Sequence, residues 1–353
     1  MFHRPFCYEK NKMKKINPLY PEKKALVLIS DKNYIKYASV TIQSIINNAS
    51  EDKHYDIIIL YDNDDITKID GINPKDNVSI RIFNIKKLCD ITKYKFYSSR
   101  HITDASYYRI LIPNIFTGYK YVFYMDCDMI VVDNIDEYLF EKDYDYVVSA
   151  VEDYCFYKIL SKSNREILPE RFKTAHEYYE CIGLSQETTD KYYNCGFLAF
   201  NIEKCKEFDF TEKCFDFIRK ISESIDFLYF HDQDVINAVC KGNIGCLPYE
   251  MNILVNLLSS YAYNCTFPRK HMLKERDEFI EIAKKIKVMH FCGMKPWKKP
   301  QFDYSNMLEW WKVAKDMPLF KTRVLFENLS KNVINNIIEK ISEKSEMTID
   351  EYF

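Results

Sequence analysis

Apolar and polar positions follow two different spacings along the first part of the chain. A continuous apolar run at 25–30 predicts a buried strand, and strand signals recur at 56–61 and 78–83. Residues 34–48 repeat apolar side chains at helical spacing, which predicts a helix, and residues 64–69 are predicted to form a second, short helix. This alternation of strands and helices indicates an α/β fold, with a mostly parallel sheet and right-handed crossovers. Such sheets bind ligands at the carboxyl ends of their strands.

The C-terminal part of the chain has a different pattern. Apolar residues recur at helical spacing in 308–314 and again from Phe326 to Ile341, which predicts one or two amphipathic helices. Packing on the preceding domain or self-association is the favoured use of their apolar faces, and peripheral membrane contact is the alternative. We therefore expect an N-terminal extension at 1–22, one domain at 23–300 and a C-terminal helical region at 301–353.

Composition and charge narrow the choice of compartment and partner. The N-terminus lacks the apolar core of a signal peptide, and no stretch of about 20 apolar residues occurs. The 12 cysteines contain no Cys-x-x-Cys pair, so we expect a reduced, cytoplasmic protein, with peripheral contact at the inner face of the membrane as the alternative. A formal net charge of -2 gives no reason to expect nucleic acid as a partner.

Two acidic residues interrupt the apolar run from Tyr121 to Asp133. A buried strand has no structural use for Asp126 and Asp128, because an unpaired charge removed from water is strongly unfavourable. Side chains two residues apart in a strand point to the same side, so both carboxylates could bind one divalent ion. The other interpretation is an acidic pair in a surface turn, and the apolar flanks favour the ion site.

A second candidate group lies near residue 290. His290 ends an apolar run and is followed by Gly293 and Lys295. Imidazole combined with carboxylates favours manganese over calcium, which prefers oxygen ligands alone. Gly293 would let a ligand approach the backbone closely, and Lys295 supplies a positive charge suited to phosphate. A lone histidine is more often structural, but together with the aspartate pair His290 becomes a candidate metal ligand.

Several separated blocks of the sequence carry a family resemblance. In chain order they are 25–34, 108–113, 126–128, 193–201 with 231–237 close behind it, and 290–297. Together they resemble glycosyltransferase family 8, the retaining enzymes that include glycogenin and the bacterial lipopolysaccharide galactosyl- and glucosyltransferases. The resemblance implies a GT-A fold, which is a Rossmann-like nucleotide-binding domain with a mostly parallel mixed sheet, here followed by C-terminal helices.

The resemblance also implies how a UDP-sugar would bind. The turn after the first strand would hold the uracil and ribose through the backbone of Ile29 and through Asp31 and Asn33. Lys295, with Gly293 nearby, would meet the diphosphate. The residues implied as ligands of Mn²⁺ or Mg²⁺ are Asp126, Asp128 and His290. The residues implied around the donor sugar are Arg109, Asp153, Asn194, Asp232 and Gln233.

The implied reaction moves galactose or glucose from a UDP-sugar to a glycan or glycolipid acceptor, with lipopolysaccharide or another surface glycan expected. Negative charge develops on the leaving diphosphate, and a metal ion with Lys295 is suited to offset it. The family retains the anomeric configuration. By homology Gln233 would lie beneath the reacting carbon, where an amide is a poor nucleophile and would stabilise the cation-like state.

Two other functions compete with this interpretation. A haloacid-dehalogenase-like, Mg²⁺-dependent phosphohydrolase also carries Asp-x-Asp after an apolar strand. In such enzymes the pair follows the first strand of the domain, whereas here several strands precede it, and the block at 290–297 has no role in that chemistry. A non-catalytic nucleotide-sugar-binding protein is the second alternative, and the intact set of metal-site residues and Lys295 argues against it.

Overall fold

The computed structural model describes most of the chain, and its elements alternate between strands and helices. The described residues are 13–65, 69, 71–90, 104–153, 174–184, 191–225, 228–255, 281–282, 284–293, 295–298, 305–321, 324–326 and 329–343. The strands in chain order are β1 (Lys24–Ser30), β2 (Tyr55–Tyr61), β3 (Val78–Asn84), β4 (Tyr121–Met125), β5 (Met129–Val131), β6 (Val148–Glu152), β7 (Tyr193–Asn201), β8 (Ile244–Leu247), β9 (Ile253–Leu254) and β10 (Val288–His290).

Helices connect and cover these strands. In chain order they are α1 (Ile35–Asn48), α2 (Ile85–Leu88), α3 (Ile112–Ile115), α4 (Ala175–Cys181), α5 (Ile202–Glu207), α6 (Phe210–Ile221), α7 (Asp232–Val239), α8 (Ser305–Lys315), α9 (Pro318–Lys321) and α10 (Lys331–Glu343). Short 3-10 helices lie at Asp104–Leu111, Tyr249–Met251 and Val324–Phe326, and a π-helical turn lies at Glu137–Glu141. Within the described part of the chain, no helix combines the length and apolarity needed to cross a bilayer.

Seven strands form one mixed, mostly parallel sheet in the order β3-β2-β1-β4-β7-β6-β8. The pairs β1–β2, β1–β4, β2–β3 and β6–β8 are parallel, and only β7 runs antiparallel to its two neighbours. The strands predicted at 25–30, 56–61 and 78–83 and the helix predicted at 34–48 are confirmed. Of the predicted helix at 64–69, residues 64 and 65 form a bend, and 66–68 lie outside the described residues.

Side chains of β1 alternate between the two faces of the sheet and enter two separate cores. Val27 and Ile29 join the larger core, whereas Leu26 and Leu28 join the core on the other face, together with Ile42 of α1. Because both faces are covered, the strand reads as one continuous apolar run. After Lys24 at its start, the next polar side chain of the strand is Ser30 at its carboxyl end.

A second, three-stranded sheet in the order β5-β10-β9 extends from the carboxyl end of β4. Strand β10 is antiparallel to β5, with His290 opposite Met129, and parallel to β9, with His290 opposite Leu254. This register places His290 next to the end of the turn that joins β4 to β5. His290 therefore lies beside the turn that contains Asp128, although the two residues are far apart in the sequence.

The C-terminal helices pack on the rest of the chain. Trp310 of α8 is fully buried and lies 5.2 Å, between ring centroids, from Trp297, which in turn stacks on Tyr37 of α1 at 3.9 Å. The apolar side chains of α10 that spacing predicted to share a face, Ile337 and Ile341, are 1% and 5% exposed. This part of the apolar face is covered by the chain itself.

The described end of the N-terminal extension also packs on the domain. The backbone N–H of Lys14 donates to the carbonyl of Leu88, and that of Ile16 donates to the carbonyl of Ile115. Ile16 is 2% exposed. Residues 13–22 therefore pack against the domain that follows them.

Candidate active site

The two aspartates lie in a tight turn between β4 and β5, and not within a strand as the sequence predicted. The turn is nevertheless largely buried, with Asp128 8% exposed, and it brings both carboxylates to the same side. His290 Nε2 lies 3.8 Å from Asp126 Oδ2 and 3.5 Å from Asp128 Oδ1. One ligand atom from each of the three residues falls within 4.8 Å of the others. The structure thus brings the predicted metal ligands together through a turn.

Lys295 pairs with one of these carboxylates. Its Nζ donates to Asp128 Oδ2 and, at 3.1 Å, to the carbonyl of Phe291. Burial alone would raise the pKa of Asp128, but the nearby Lys295 and His290 hold it well below its usual range. Burial opposes the charged form of Lys295 as well, and Asp128 more than compensates and raises the pKa of the ammonium group. Both shifts favour an ionised Asp128 beside a positively charged Lys295.

Arg109 joins two carboxylates instead of pointing into open space. Its Nη2 lies 2.9 Å from Asp126 Oδ1 and its Nε lies 3.0 Å from Asp232 Oδ2. A third nitrogen donates to the Cys195 carbonyl, and the guanidinium lies 4.2 Å from the centroid of the Tyr124 ring. Arg109 was expected to contact the donor sugar, and in this structure its nitrogens hold acidic residues and backbone.

Asp232 and Gln233 occupy the first turn of α7, directly after His231. Burial raises the pKa of Asp232 to about 6, with Arg109 opposing and Asp126 adding to the increase. The preceding residue, His231, has φ 51° and ψ -118°, a backbone conformation that non-glycine residues rarely adopt. Strain of this kind is typical of functional sites, and here it directly precedes the two candidate residues.

Gln233 is tied to the carboxyl end of β6. Its Nε2 donates to Asp153 Oδ2 at 2.9 Å, and Asn194 Nδ2 donates to the same oxygen at 2.8 Å. The other end of the amide, Gln233 Oε1, accepts from the backbone N–H of Cys195 at 3.0 Å. Asp153, Asn194 and Gln233 therefore form one buried polar group. All three were expected around the donor sugar, and that role stays a prediction.

The residues predicted for the nucleotide lie at the carboxyl end of β1. The carbonyl of Ile29 accepts from Cys127 Sγ at 3.1 Å, which joins this strand to the aspartate turn. Asp31 Oδ1 accepts from the backbone N–H groups of Asn33 and Tyr34 at 2.8 and 3.0 Å. Asp31 thus caps the turn that leads into α1, a local role that the sequence analysis did not foresee. Asn33 is exposed beside it.

Two residues of the site, Asn252 and Gly196, were given no role by the sequence analysis. Asn252, which is 1% exposed, joins His290 to Asn194. Gly196 lies so close to His290 that a Cβ would be 2.4 Å from the ring Cε1. A glycine inside an apolar strand is a signal for such close approach. Asn252, a single asparagine between apolar Met251 and Ile253, is a weaker signal of a residue in the site.

Gly293 follows the metal-site strand in a conformation with φ 81°, which favours glycine, and it is exposed. It lies between His290 and Lys295, which both approach Asp128. The positive φ gives Gly293 a conformational role, and close approach of a ligand stays a prediction.

The comparisons with known sequences agree with this arrangement. A model of glycosyltransferase family 8 matches residues 25–301. General stress protein A of Bacillus subtilis (strain 168) is 27% identical over 301 residues, which cover 81% of this chain and 94% of that protein. A putative glycosyltransferase of Haemophilus influenzae is 22% identical over 269 residues, which cover 76% of this chain and 71% of that protein.

Solved structures share the fold. The apo form of the bifunctional enzyme WbbM superposes with a TM-score of 0.69 at 22% identity, covering 90% of this chain and 53% of that one, so the chain spans about half of WbbM. An active-site mutant of LgtC superposes with a TM-score of 0.59 at 20% identity, covering 83% of this chain and 96% of that one. LgtC in complex with donor and acceptor sugar analogues gives a TM-score of 0.57 at 19% identity, covering the same two shares. The family match spans most of the chain, and the chain is a glycosyltransferase with the GT-A fold that belongs to glycosyltransferase family 8.

Proposed function

We propose that this glycosyltransferase is a retaining, metal-dependent enzyme that moves a hexose, galactose or glucose, from a UDP-sugar to a glycan acceptor. The observation that carries the proposal is the convergence of Asp126, Asp128 and His290 beside Lys295, at the carboxyl edge of a mostly parallel sheet. Two carboxylates, one imidazole and one ammonium group fit a divalent ion and a diphosphate.

The donor atoms fit manganese or magnesium. Asp126 and Asp128 supply oxygen and His290 supplies nitrogen, a mixture that suits Mn²⁺ and is less suited to Ca²⁺. When bound, the ion would act as a Lewis acid that offsets charge on the departing diphosphate. Lys295 would supply a second positive charge on the same side, already in place before the reaction.

The nucleotide would lie along the carboxyl end of β1. We propose that the backbone of Ile29 and the side chains of Asp31 and Asn33 contact the uracil and ribose. Only Asp31 Oδ1 is used in the cap of α1, and the side chain of Asn33 is exposed at the same end of the strand. This edge joins the aspartate turn through Cys127, so a UDP molecule could reach from the strand end to the metal ligands.

The buried polar group around Asp153 is proposed to hold the donor sugar. Asp153, Asn194 and Gln233 are 1%, 6% and 9% exposed, and their side chains are held by one another before any ligand arrives. Buried polar side chains in fixed positions can discriminate a hydroxyl from its absence. Arg109 pairs with Asp232, the neighbour of Gln233 in the chain, and with Asp126, and so joins this group to the metal-site residues.

The acceptor is proposed to be a glycan or glycolipid, with lipopolysaccharide or another surface glycan as the class. Support comes from the fold, since the similar LgtC structure was solved with donor and acceptor sugar analogues. We expect 154–191 to form an acceptor-side insertion and 253–276 to form an acceptor or donor lid, and both stretches lie mostly outside the described residues.

Titration of UDP into the protein by calorimetry tests the proposal without knowledge of the sugar or the acceptor. Binding that appears with Mn²⁺ and disappears with excess chelator is the expected result. If UDP fails to bind in either condition, the proposed donor class is wrong. Turnover of a phosphate ester under the same conditions, with no UDP binding, would favour the phosphohydrolase alternative.

Gln233→Ala is expected to lower turnover by roughly 100-fold while UDP affinity stays within about threefold of the wild type. The reason is that Gln233 would stabilise the cation-like sugar and not the nucleotide. Gln43→Ala is the matched control, because Gln43 is also buried and bonded at both ends of its amide, to Asn47 and Asn73. A loss of UDP binding confined to Gln233→Ala would contradict the assignment.

A further inference from the structure

The buried imidazole of His290 has a polar partner on each side. Nε2 faces the two aspartates at 3.5 and 3.8 Å, and Nδ1 lies 3.0 Å from Asn252 Oδ1. Both His290 and Asn252 are nearly inaccessible, at 3% and 1% exposure. The ring can present only one of its nitrogens as a lone pair when neutral, so its partners decide which nitrogen is available to a metal.

Asn194 fixes the direction of the hydrogen bonds that reach this ring. Its Nδ2 donates to the carboxylate of Asp153, which can only accept when ionised. Its Oδ1 therefore points the other way, where it accepts from the backbone N–H of Gly196 at 2.9 Å. A carboxylate at one end and a backbone N–H at the other independently require the same amide orientation.

The orientation of Asn252 follows from that of Asn194. Asn252 Nδ2 donates to Asn194 Oδ1 at 2.8 Å, which turns Asn252 Oδ1 toward His290. An amide oxygen cannot donate, so the proton of this contact must be on His290 Nδ1. The neutral ring then carries its lone pair on Nε2, the nitrogen that faces Asp126 and Asp128.

Without this contact the ring would favour the opposite tautomer. A proton on Nε2 could be donated toward Asp128 Oδ1, and a carboxylate is a stronger acceptor than an amide oxygen. The shorter distance at Nδ1 and the fixed amide direction oppose that outcome. Gly196 has no side chain, and this leaves room for the imidazole where it now lies.

We propose that Asn252 is a positioning residue that holds the neutral His290 ring in the Nδ1–H tautomer, with Nε2 directed at the two aspartates. The inference rests on the proposed function for the statement that Nε2 binds a metal ion. The tautomer itself depends only on the residues of this chain. A hydrogen-bonded partner behind a ligating histidine raises metal affinity by about 10-fold to 100-fold.

The first test is the tautomer of His290 in the metal-free wild type. Long-range ¹H–¹⁵N correlation spectra of ¹⁵N-histidine-labelled protein separate a protonated ring nitrogen from a bare one, and His290→Gln identifies the signal among the seven histidines. The spectra are recorded along a pH series, and those that show a single ring proton report the neutral form. A proton on Nδ1 and a bare Nε2 is the expected result, and the reverse would overturn the proposal.

Two substitutions then assign the effect to Asn252. Asn252→Leu removes the acceptor, and we expect the proton to move to Nε2 and Mn²⁺ affinity to fall about 10-fold to 100-fold. Asn252→Asp keeps an oxygen toward the ring and should keep the wild-type tautomer. Asn134→Leu is the control for loss of a partly buried asparagine outside the site, and it should leave the His290 signal unchanged.

The outcomes separate this inference from the proposed function. If Asn252→Leu retains the wild-type tautomer and Mn²⁺ affinity, Asn252 does not position the ring. If the wild type shows the expected tautomer but binds neither Mn²⁺ nor Mg²⁺, the proposed metal site is wrong and the role of Asn252 in orienting His290 stands.

Discussion

Asp128→Asn is expected to lower Mn²⁺-dependent UDP affinity by at least about 100-fold and turnover by roughly 1000-fold. The amide has nearly the shape of the carboxylate but has no charge with which to bind the ion. It also leaves Lys295 without its partner in the cluster, since the Nζ of Lys295 now donates to Asp128. Calorimetry of UDP with Mn²⁺ measures the first effect, and sugar release from UDP-galactose or UDP-glucose measures the second.

Asp133→Asn is the matched control for this experiment. Asp133 belongs to the same stretch of chain and also pairs with a lysine, Lys287, but its side chain is 62% exposed and lies outside the three-residue cluster. This variant should bind UDP as the wild type does. Retention of Mn²⁺-dependent UDP binding in Asp128→Asn would show that the ion is bound elsewhere.

Lys295→Met is expected to change metal and nucleotide binding in opposite directions. In the structure Lys295 neutralises Asp128, so an incoming ion must compete with an ammonium group that is already there. Its removal should raise Mn²⁺ affinity of the UDP-free protein by roughly tenfold, or about 1.4 kcal/mol. With saturating Mn²⁺ the same variant should bind UDP more weakly and turn over about 100-fold to 1000-fold more slowly, because one charge facing the diphosphate is lost.

The two directions distinguish a functional lysine from a merely structural one. Lys287→Met serves as the control, because Lys287 is also a mostly buried lysine paired with an aspartate, at 20% exposure. General destabilisation would weaken Mn²⁺ and UDP binding together in both variants. If Lys295→Met weakens Mn²⁺ binding in the absence of UDP, the ammonium group does not compete with the ion.

The fold was largely predictable because its strands are buried on both faces. Residues 25–29 and 57–61 read as unbroken apolar runs, and covered parallel strands produce that pattern. The short strand β9 could not be predicted, because two residues carry no periodicity. Its pairing with β10 depends on contacts between residues 253 and 289, which local sequence does not encode.

The candidate site was predictable where its chemistry conflicts with burial. Asp126, Asp128 and His290 are conspicuous in apolar surroundings, and the structure brings them together. The turn that does so was wrongly read as continuous strand, since Met129 to Val131 resumes the apolar pattern after only three residues. Asn252 was missed because a single buried amide has no recognisable spacing.

Arg109 shows a different limit of sequence reasoning. A resemblance can assign the residue to the donor sugar, but it cannot show how many of its nitrogens are already occupied. Here they are shared among Asp126, Asp232 and two backbone carbonyls, of Ser106 and Cys195. A direct contact of Arg109 with a donor sugar would therefore have to compete with these partners.

The stack of aromatic rings between α1 and α8 links the C-terminal helices to the lysine of the site. Trp297 follows Lys295 by two residues, and Trp311 Nε1 donates to the carbonyl of the intervening Pro296 at 3.2 Å. The part of the chain that matches the family ends at residue 301, so residues beyond that match anchor a loop within it. Proteolytic removal of the tail would therefore loosen Lys295. Weakened nucleotide binding in such a fragment would then be explained by the lost anchoring of this lysine, without the loss of a membrane or acceptor contact.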